Sequence, residues 1–244
     1  MSTILEIAQN FCKLYNLPVP TYLENSTDAG VIQLRQMLLN LGVDIKDSAK
    51  WQVCSRRVVW TSIQGEFQGY LSELCPENLD YIIPQTFWDN TLRRPVYGPV
   101  DDYAWQQLKS MVPQTPLYQF RTLKNELLIY GPMPAGHQLS LMYKTKNWVQ
   151  VAGSDPPEYT ASDIQDADTP VFPDRLFEYG FEYMWRRIKG MKYDTEYNLF
   201  LAKVKEYGSK DSVQPVISMD GASQPNIQPG IWVPAGNWQV QNQP

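Results

Sequence analysis

The chain is poor in the residues that most enzyme chemistry needs. It holds one histidine, His137, and three cysteines among 244 residues. Any Ser-His-Asp or Cys-His site would have to use His137. That residue falls in a turn-like stretch beside Gly136, where a plain surface histidine is the commoner finding, so catalysis is not expected there. Cys12, Cys54 and Cys75 are odd in number and too few for a disulfide framework; they read as buried thiols of a reducing compartment. HExxH, paired CxxC and GxxxxGK(S/T) are all missing, so zinc, iron–sulfur and phosphate-loop readings have no support and no cofactor or metal is expected. No apolar run approaches the ~20 residues that span a membrane. The first residues carry neither a basic stretch nor a small-residue cleavage site, so no signal peptide is expected.

Positive charge is also scarce in places. The net charge is −5, which predicts no strong pull towards nucleic acid. Residues 1–152 balance 13 acidic against 13 basic side chains, whereas residues 153–244 carry 13 acidic and 8 basic. From Asp211 to Pro244 there is no Lys or Arg at all, but two Asp, six Gln and five Pro. Proline blocks helix and ladder hydrogen bonds, so this stretch is not expected to close a core of its own. Yet it carries Val213, Val216, Ile217, Ile231, Trp232, Val233 and Trp238. Two placements fit an extended, uncharged segment with apolar spots: folded back on its own domain, or strapped across another surface.

What is abundant is aromatic: 8 Trp, 15 Tyr and 8 Phe, within 43% hydrophobic residues, which argues against a disordered chain. Residues 3–16 predict an amphipathic helix, with Thr3 and Glu6 in a capping box and Ile4, Ile7, Ala8, Phe11 and Tyr15 on one face. A second helix from Asp28 carries Val31, Leu34, Leu38 and Leu41, with Gly42 as its expected stop. Residues 50–71 turn strand-like, and Asp101 caps a short helix bearing Trp105. Residues 117–122, 126–130 and 138–144 then predict an antiparallel meander, with a fourth strand at 148–151. After a polar connector, Asp174 is the expected cap of a helix with Phe177, Phe181, Met184, Ile188 and Met191 as an apolar seam. A last helix ends at Gly208. The expected fold is α+β: a helical bundle with an inserted antiparallel β-meander and an extended C-terminal tail. Its divisions are a helical hairpin over 1–49, a mixed region over 50–152, helices over 153–210 that pack on the first two, and the tail over 211–244.

Few groupings suggest chemistry. Asp163, Asp166, Asp168 and Asp174 lack EF-hand spacing and read as a solvated loop plus a helix cap. Glu66 and Glu73 are a carboxylate pair of the type that glycoside hydrolysis uses, without a known separation. The doublets Arg56-Arg57, Arg93-Arg94 and Arg186-Arg187 suit a partner's carboxylates, and aromatics with arginine are the usual interface anchors.

Three stretches resemble the head-to-tail adaptor proteins of short-tailed bacteriophages. The first is Leu79-Asp-Tyr-Ile-Ile-Pro-Gln-Thr-Phe-Trp-Asp89 with Pro95-Val-Tyr-Gly-Pro99 and Trp105-Gln-Gln-Leu108. The second is Phe120-Arg121, Leu128-Ile-Tyr-Gly-Pro132, Pro134-Ala-Gly136 and Leu141-Met-Tyr143. The third is Phe172-Pro-Asp-Arg-Leu176 with Trp185-Arg-Arg-Ile-Lys-Gly-Met-Lys-Tyr193. The tail is longer than such adaptors need, and the first 45 residues match only as two helices. The resemblance implies a non-enzymatic virion protein at the head-tail junction, made in the host cytoplasm. It implies a dodecameric ring between the portal protein and a tail or nozzle protein. The ring would surround passing double-stranded DNA without reading its sequence. The partner-interface residues expected are Trp185, Arg186, Arg187, Ile231, Trp232, Val233 and Trp238. The alternatives are a carboxylate-based glycan hydrolase and an aromatic-rich carbohydrate- or DNA-binding module.

Overall fold

A computed structural model describes residues 2–110, 118–131 and 133–211. Its architecture is mixed α+β with antiparallel sheets. Helix α1 (Ile4–Leu14) starts where the sequence places it. The Thr3 hydroxyl accepts from the Glu6 N–H at 3.2 Å, and the Glu6 carboxylate accepts from the Thr3 N–H at 3.0 Å. Ile4, Ile7, Ala8, Phe11 and Cys12 form its buried stripe.

Helix α2 (Ala29–Ser48) begins with Asp28 accepting from the Gly30 N–H at 2.8 Å. It does not stop at Gly42. The glycine is there for close approach: a Cβ at Gly42 would lie 2.1 Å from the Trp148 ring. Helices α5 (Asp174–Ile188) and α6 (Asp194–Asp211) complete this part, and α5 packs on α1, α2 and α6. A second close approach seats Leu41 on Gly180. Two expected ends need correction. Asp174 is the first residue of α5 rather than its cap, which is Pro173; its carboxylate instead accepts from the Ser2 N–H at 3.1 Å and hydroxyl at 2.8 Å. Helix α6 passes Gly208, which fits against Ala49, and reaches Asp211. The core here joins Leu38, Leu41, Ile45, Phe172, Phe177, Phe181 and Phe200, each close to fully buried. Burial of a phenylalanine ring of this kind stabilises by about 1.5–3 kcal/mol.

The described residues between these helices form three sheets. In the first, β8 (Gln138–Thr145) pairs with β1 (Ser55–Thr61) on one side and with β3 (Leu79–Ile82) and β4 (Trp88–Asp89) on the other; β5 (Arg94–Pro95) follows β4. In the second, β7 (Glu126–Tyr130) lies between β2 (Phe67–Tyr70) and β6 (Gln119–Leu123). In the third, β9 (Val149–Gln150) lies between β10 (Tyr159–Thr160) and β11 (Thr169–Pro170).

The expected meander is therefore broken. The β6–β7 hairpin forms across Lys124-Asn125, but β8 leaves it for another sheet, and the fourth strand joins a third. The cause is visible in β8, where Leu139, Leu141, Tyr143 and also Ser140, Lys144 and Thr145 are buried. A strand covered on both faces needs a central place, which a meander edge does not offer. Phe87, Phe120, Leu127, Ile129, Leu139 and Leu141 make the second core, with α3 (Leu71–Leu74) contributing Leu71. Helix α4 (Asp102–Ser110) starts with Asp101 accepting from the Ala104 N–H at 2.7 Å.

Candidate interface site

The α5 sequence divides at its last two turns. Phe177, Phe181 and Met184 point into the helical core, whereas Ile188 and Met191 are 46% and 47% exposed. The expected seam is thus core for its first half and surface for its second. Gly190, at φ 69, turns the chain into α6. Helix α6 then buries only Phe200, Val204 and Gly208, and leaves Tyr197, Leu199 and Leu201 exposed. Tyr197 and Leu201, about one turn apart, share a face of α6 on the Arg187 side, and Leu199 faces the other way.

The three flanking residues hold different positions. Trp185 is half-buried: its ring meets Phe11 edge-on at 5.8 Å, and the Lys189 ammonium sits 4.5 Å from its centroid. Arg186 is committed within the subunit, to Glu182 at 3.5 Å and to Glu196 of α6 at 3.2 Å. Arg187 is exposed and borders a cleft of about 650 Å³ with Asp44, Tyr193, Tyr197 and Leu201. In that cleft the Tyr183 hydroxyl donates to Asp44 at 3.4 Å; burial, then the Asp44 charge, pushes the phenol up. Of the two arginines only Arg187 is exposed and without an ion pair among the described residues. Ile231, Trp232, Val233 and Trp238 lie outside the described residues.

His137 is not the plain surface group its turn suggested. Its Nδ1 is 2.7 Å from Oδ2 of Asp89, which is wholly buried. The other Asp89 oxygen accepts from the N–H groups of Thr91 (2.9 Å) and Leu92 (3.0 Å). Ser62 is close, but its hydroxyl donates to the Pro134 carbonyl at 2.7 Å and accepts from the His137 backbone N–H at 2.9 Å. These bonds fasten the chain before β8 to β1 and β4. Nothing in the sequence signals this pair, because 48 residues separate its members.

The remaining candidates are structural or apart. Asp166 accepts from the N–H groups of Leu23 and Glu24, and Asp168 from those of Ala152 and Gln165. Asp163 is exposed. No group of three or more His, Cys, Asp or Glu fit to hold a metal occurs among the described residues. Glu66 is paired with Lys109 of α4, while Glu73 is exposed on α3. Arg56 is held by Glu77 and lies 4.2 Å over the Tyr159 ring, leaving Arg57 exposed beside it. Arg94 pairs in β5 opposite Asp89, next to Arg93 at φ 55. All three cysteines are free and buried, and burial pushes the Cys54 and Cys75 thiols up to about 11.

Lys144 escaped notice in the sequence. It is buried, with its ammonium donating to the Trp51 carbonyl and to the Ser55 hydroxyl at 2.6 Å, and burial lowers its pKa. No described helix is long and apolar enough to cross a membrane. No family model matches the chain, and no curated protein matches it.

Proposed function

We propose that the chain is a structural subunit of a phage head-tail junction, a ring between portal and tail protein around the DNA exit channel. The observation that carries this reading is the α5–α6 corner, where Ile188, Met191, Tyr197 and Leu201 remain 39–47% exposed. Large apolar groups left exposed at this corner are a cost in water that burial against another subunit removes. Arg187 and the half-buried Trp185 supply the anchor types that such contacts favour. In this reading the helices form a bundle and the strand-rich residues are its insert. Twelve copies is the order the resemblance implies, and Ile231, Trp232, Val233 and Trp238 are the strap towards a neighbour. DNA passes the ring without sequence readout, consistent with the net charge of −5.

Solution mass decides the matter. The protein mixed with the portal protein encoded in the same genome should form a complex holding many copies. Ile188→Ser combined with Leu201→Ser should weaken that complex at least tenfold while leaving the fold intact, because exposed substitutions seldom move stability by more than about 0.5 kcal/mol. A protein that stays monomeric with the portal, or that cleaves cell-wall glycan and stops on Glu66→Gln or Glu73→Gln, overturns the reading.

A further inference from the structure

The turn between β4 and β5, Asn90 to Arg93, is held more firmly than a four-residue surface turn requires. Asp89, wholly buried, accepts from the N–H groups of Thr91 at 2.9 Å and Leu92 at 3.0 Å. The Thr91 hydroxyl accepts from the Gln138 N–H at 2.8 Å, and the Asn90 N–H donates to the Gln138 carbonyl at 2.8 Å. What this frame presents outward is Leu92, 43% exposed, followed by Arg93 and Arg94, both exposed. Arg93 sits at φ 55, a left-handed conformation that glycine or asparagine adopts at less cost. An apolar group and a guanidinium fixed on a rigid turn lose little freedom on binding, which is what strong interface anchors have in common. The β6–β7 tip offers less, a single charge at Lys124.

The α5–α6 corner carries a receptor of matching chemistry. Its cleft of about 650 Å³ joins Tyr197 and Leu201 with the carboxylates of Asp44, Asp47 and Asp194. Two cations stand against these three carboxylates. Arg187 lines the same cleft, and Lys46 pairs with Asp47 at 2.7 Å and with Asp80 at 2.8 Å. The cleft is left acidic. No ion pair holds Asp44 or Asp194 among the described residues, and the Asp44 carboxylate accepts only from the Tyr183 hydroxyl, at 3.4 Å.

We infer that this cleft receives the Leu92–Arg94 turn of a second copy. Leu92 covers Tyr197 and Leu201, and the Arg93 guanidinium meets the Asp44 carboxylate, a pairing that arginine makes with both of its forks. Arg94 stays at its place opposite Asp89 in the strand pair and adds positive charge behind the contact. The turn belongs to the strand core and the cleft to the helical core, so the contact joins two different patches. Such a contact is head-to-tail: it passes from copy to copy and closes as a ring where the rotation allows. The inference rests on the ring reading and adds to it the contact between neighbours. It also gives the buried Asp89 clamp a purpose beyond the fold, which is to hold Leu92 and Arg93 ready for docking.

The test is charge reversal in the full chain, read as the mass of its complex with the portal protein encoded in the same genome. Arg93→Glu should weaken the many-copy complex at least tenfold, and Asp44→Lys should do the same. The chain with both changes should recover most of the assembly, because the pair is restored with its signs exchanged. Leu92→Ser should also weaken the complex. All three positions are exposed, so denaturant unfolding of each variant should match that of the native chain. If the native chain assembles in many copies and neither reversal weakens it, or the double variant stays as weak as the single ones, the inference is overturned and the ring reading stands. A native chain that remains monomeric with the portal overturns both.

Discussion

Around Phe177 and Phe181 the chain is closed by shape, and around Phe87 and Phe120 it is closed by shape plus a buried polar clamp. The helical core depends on backbone approach: the Trp148 ring occupies the place of a Gly42 side chain, and Leu41 that of a Gly180 side chain. The strand core has its own apolar contacts, but beside the long β1 and β8 several of its strands are short. β4 has only two residues, and one of them is Asp89. That carboxylate takes up two backbone N–H groups and His137, so it does for β4 what a longer ladder does elsewhere. Long elements are specified by stripes and contact surfaces, while short ones need named hydrogen bonds.

The largest effect should come from removing the clamp. Asp89→Ala leaves His137 and the Thr91 and Leu92 N–H groups without an acceptor, and should destabilise the protein by about 3 kcal/mol in denaturant unfolding. Asp89→Asn, which keeps an acceptor, should cost clearly less. If the two cost the same, the clamp is not what holds β4. Next comes Gly42→Ala, which should cost about 2 kcal/mol, since a rigid indole cannot yield as a flexible side chain does. A neutral result would show that Trp148 can shift, and the contrast between the cores would narrow.

The smallest effect is alkaline. Cys54 in the helical core and Cys75 in the strand core each have a thiol pushed up to about 11 by burial. A folded pKa above the unfolded value means stability that is whole below the ordinary thiol range and is lost as pH rises through about 11. Tyr183, raised the same way, adds to the loss in the helical core alone. Thermal melts at pH 8 and 10.5 should fall for the native chain, and Cys54→Ala and Cys75→Ala should flatten the fall by similar amounts. Tyr183→Phe should flatten it less than either over this range, because an unfolded phenol begins to ionise only about a unit above an unfolded thiol.

The same contrast explains what the sequence disclosed. The Thr3–Glu6 box, the four-and-three spacing through Phe177 and Phe181, and the β6–β7 hairpin are local patterns, and each was legible. Gly42 and Gly208 were misread as stops because a glycine signals a helix end and a close approach alike; only the partner, Trp148 or Ala49, tells them apart. The place of β8 was illegible because it depends on strands more than 40 residues away in sequence. Of the expected interface residues, Arg187 is exposed, but the salt links of Arg186 needed Glu196 from the next helix. The exposed half of the α5 seam was hidden for a similar reason: periodicity shows which residues share a face and not how far the covering helix extends.

The bond between Ser2 and Asp174 spans 172 residues, and it also sets a timetable. The strand core draws its residues from an unbroken run, Leu71 to Tyr143, so a growing chain can close it early. Helices α1 and α2 have no such option, because α5, the element that covers them, is made near the end. At about 5–20 residues per second, the stripe of Ile4, Ile7 and Phe11 waits roughly 10–30 s for its lid. During that interval the nascent chain shows an uncovered amphipathic helix, the kind of surface that chaperones capture, although the finished protein hides it completely.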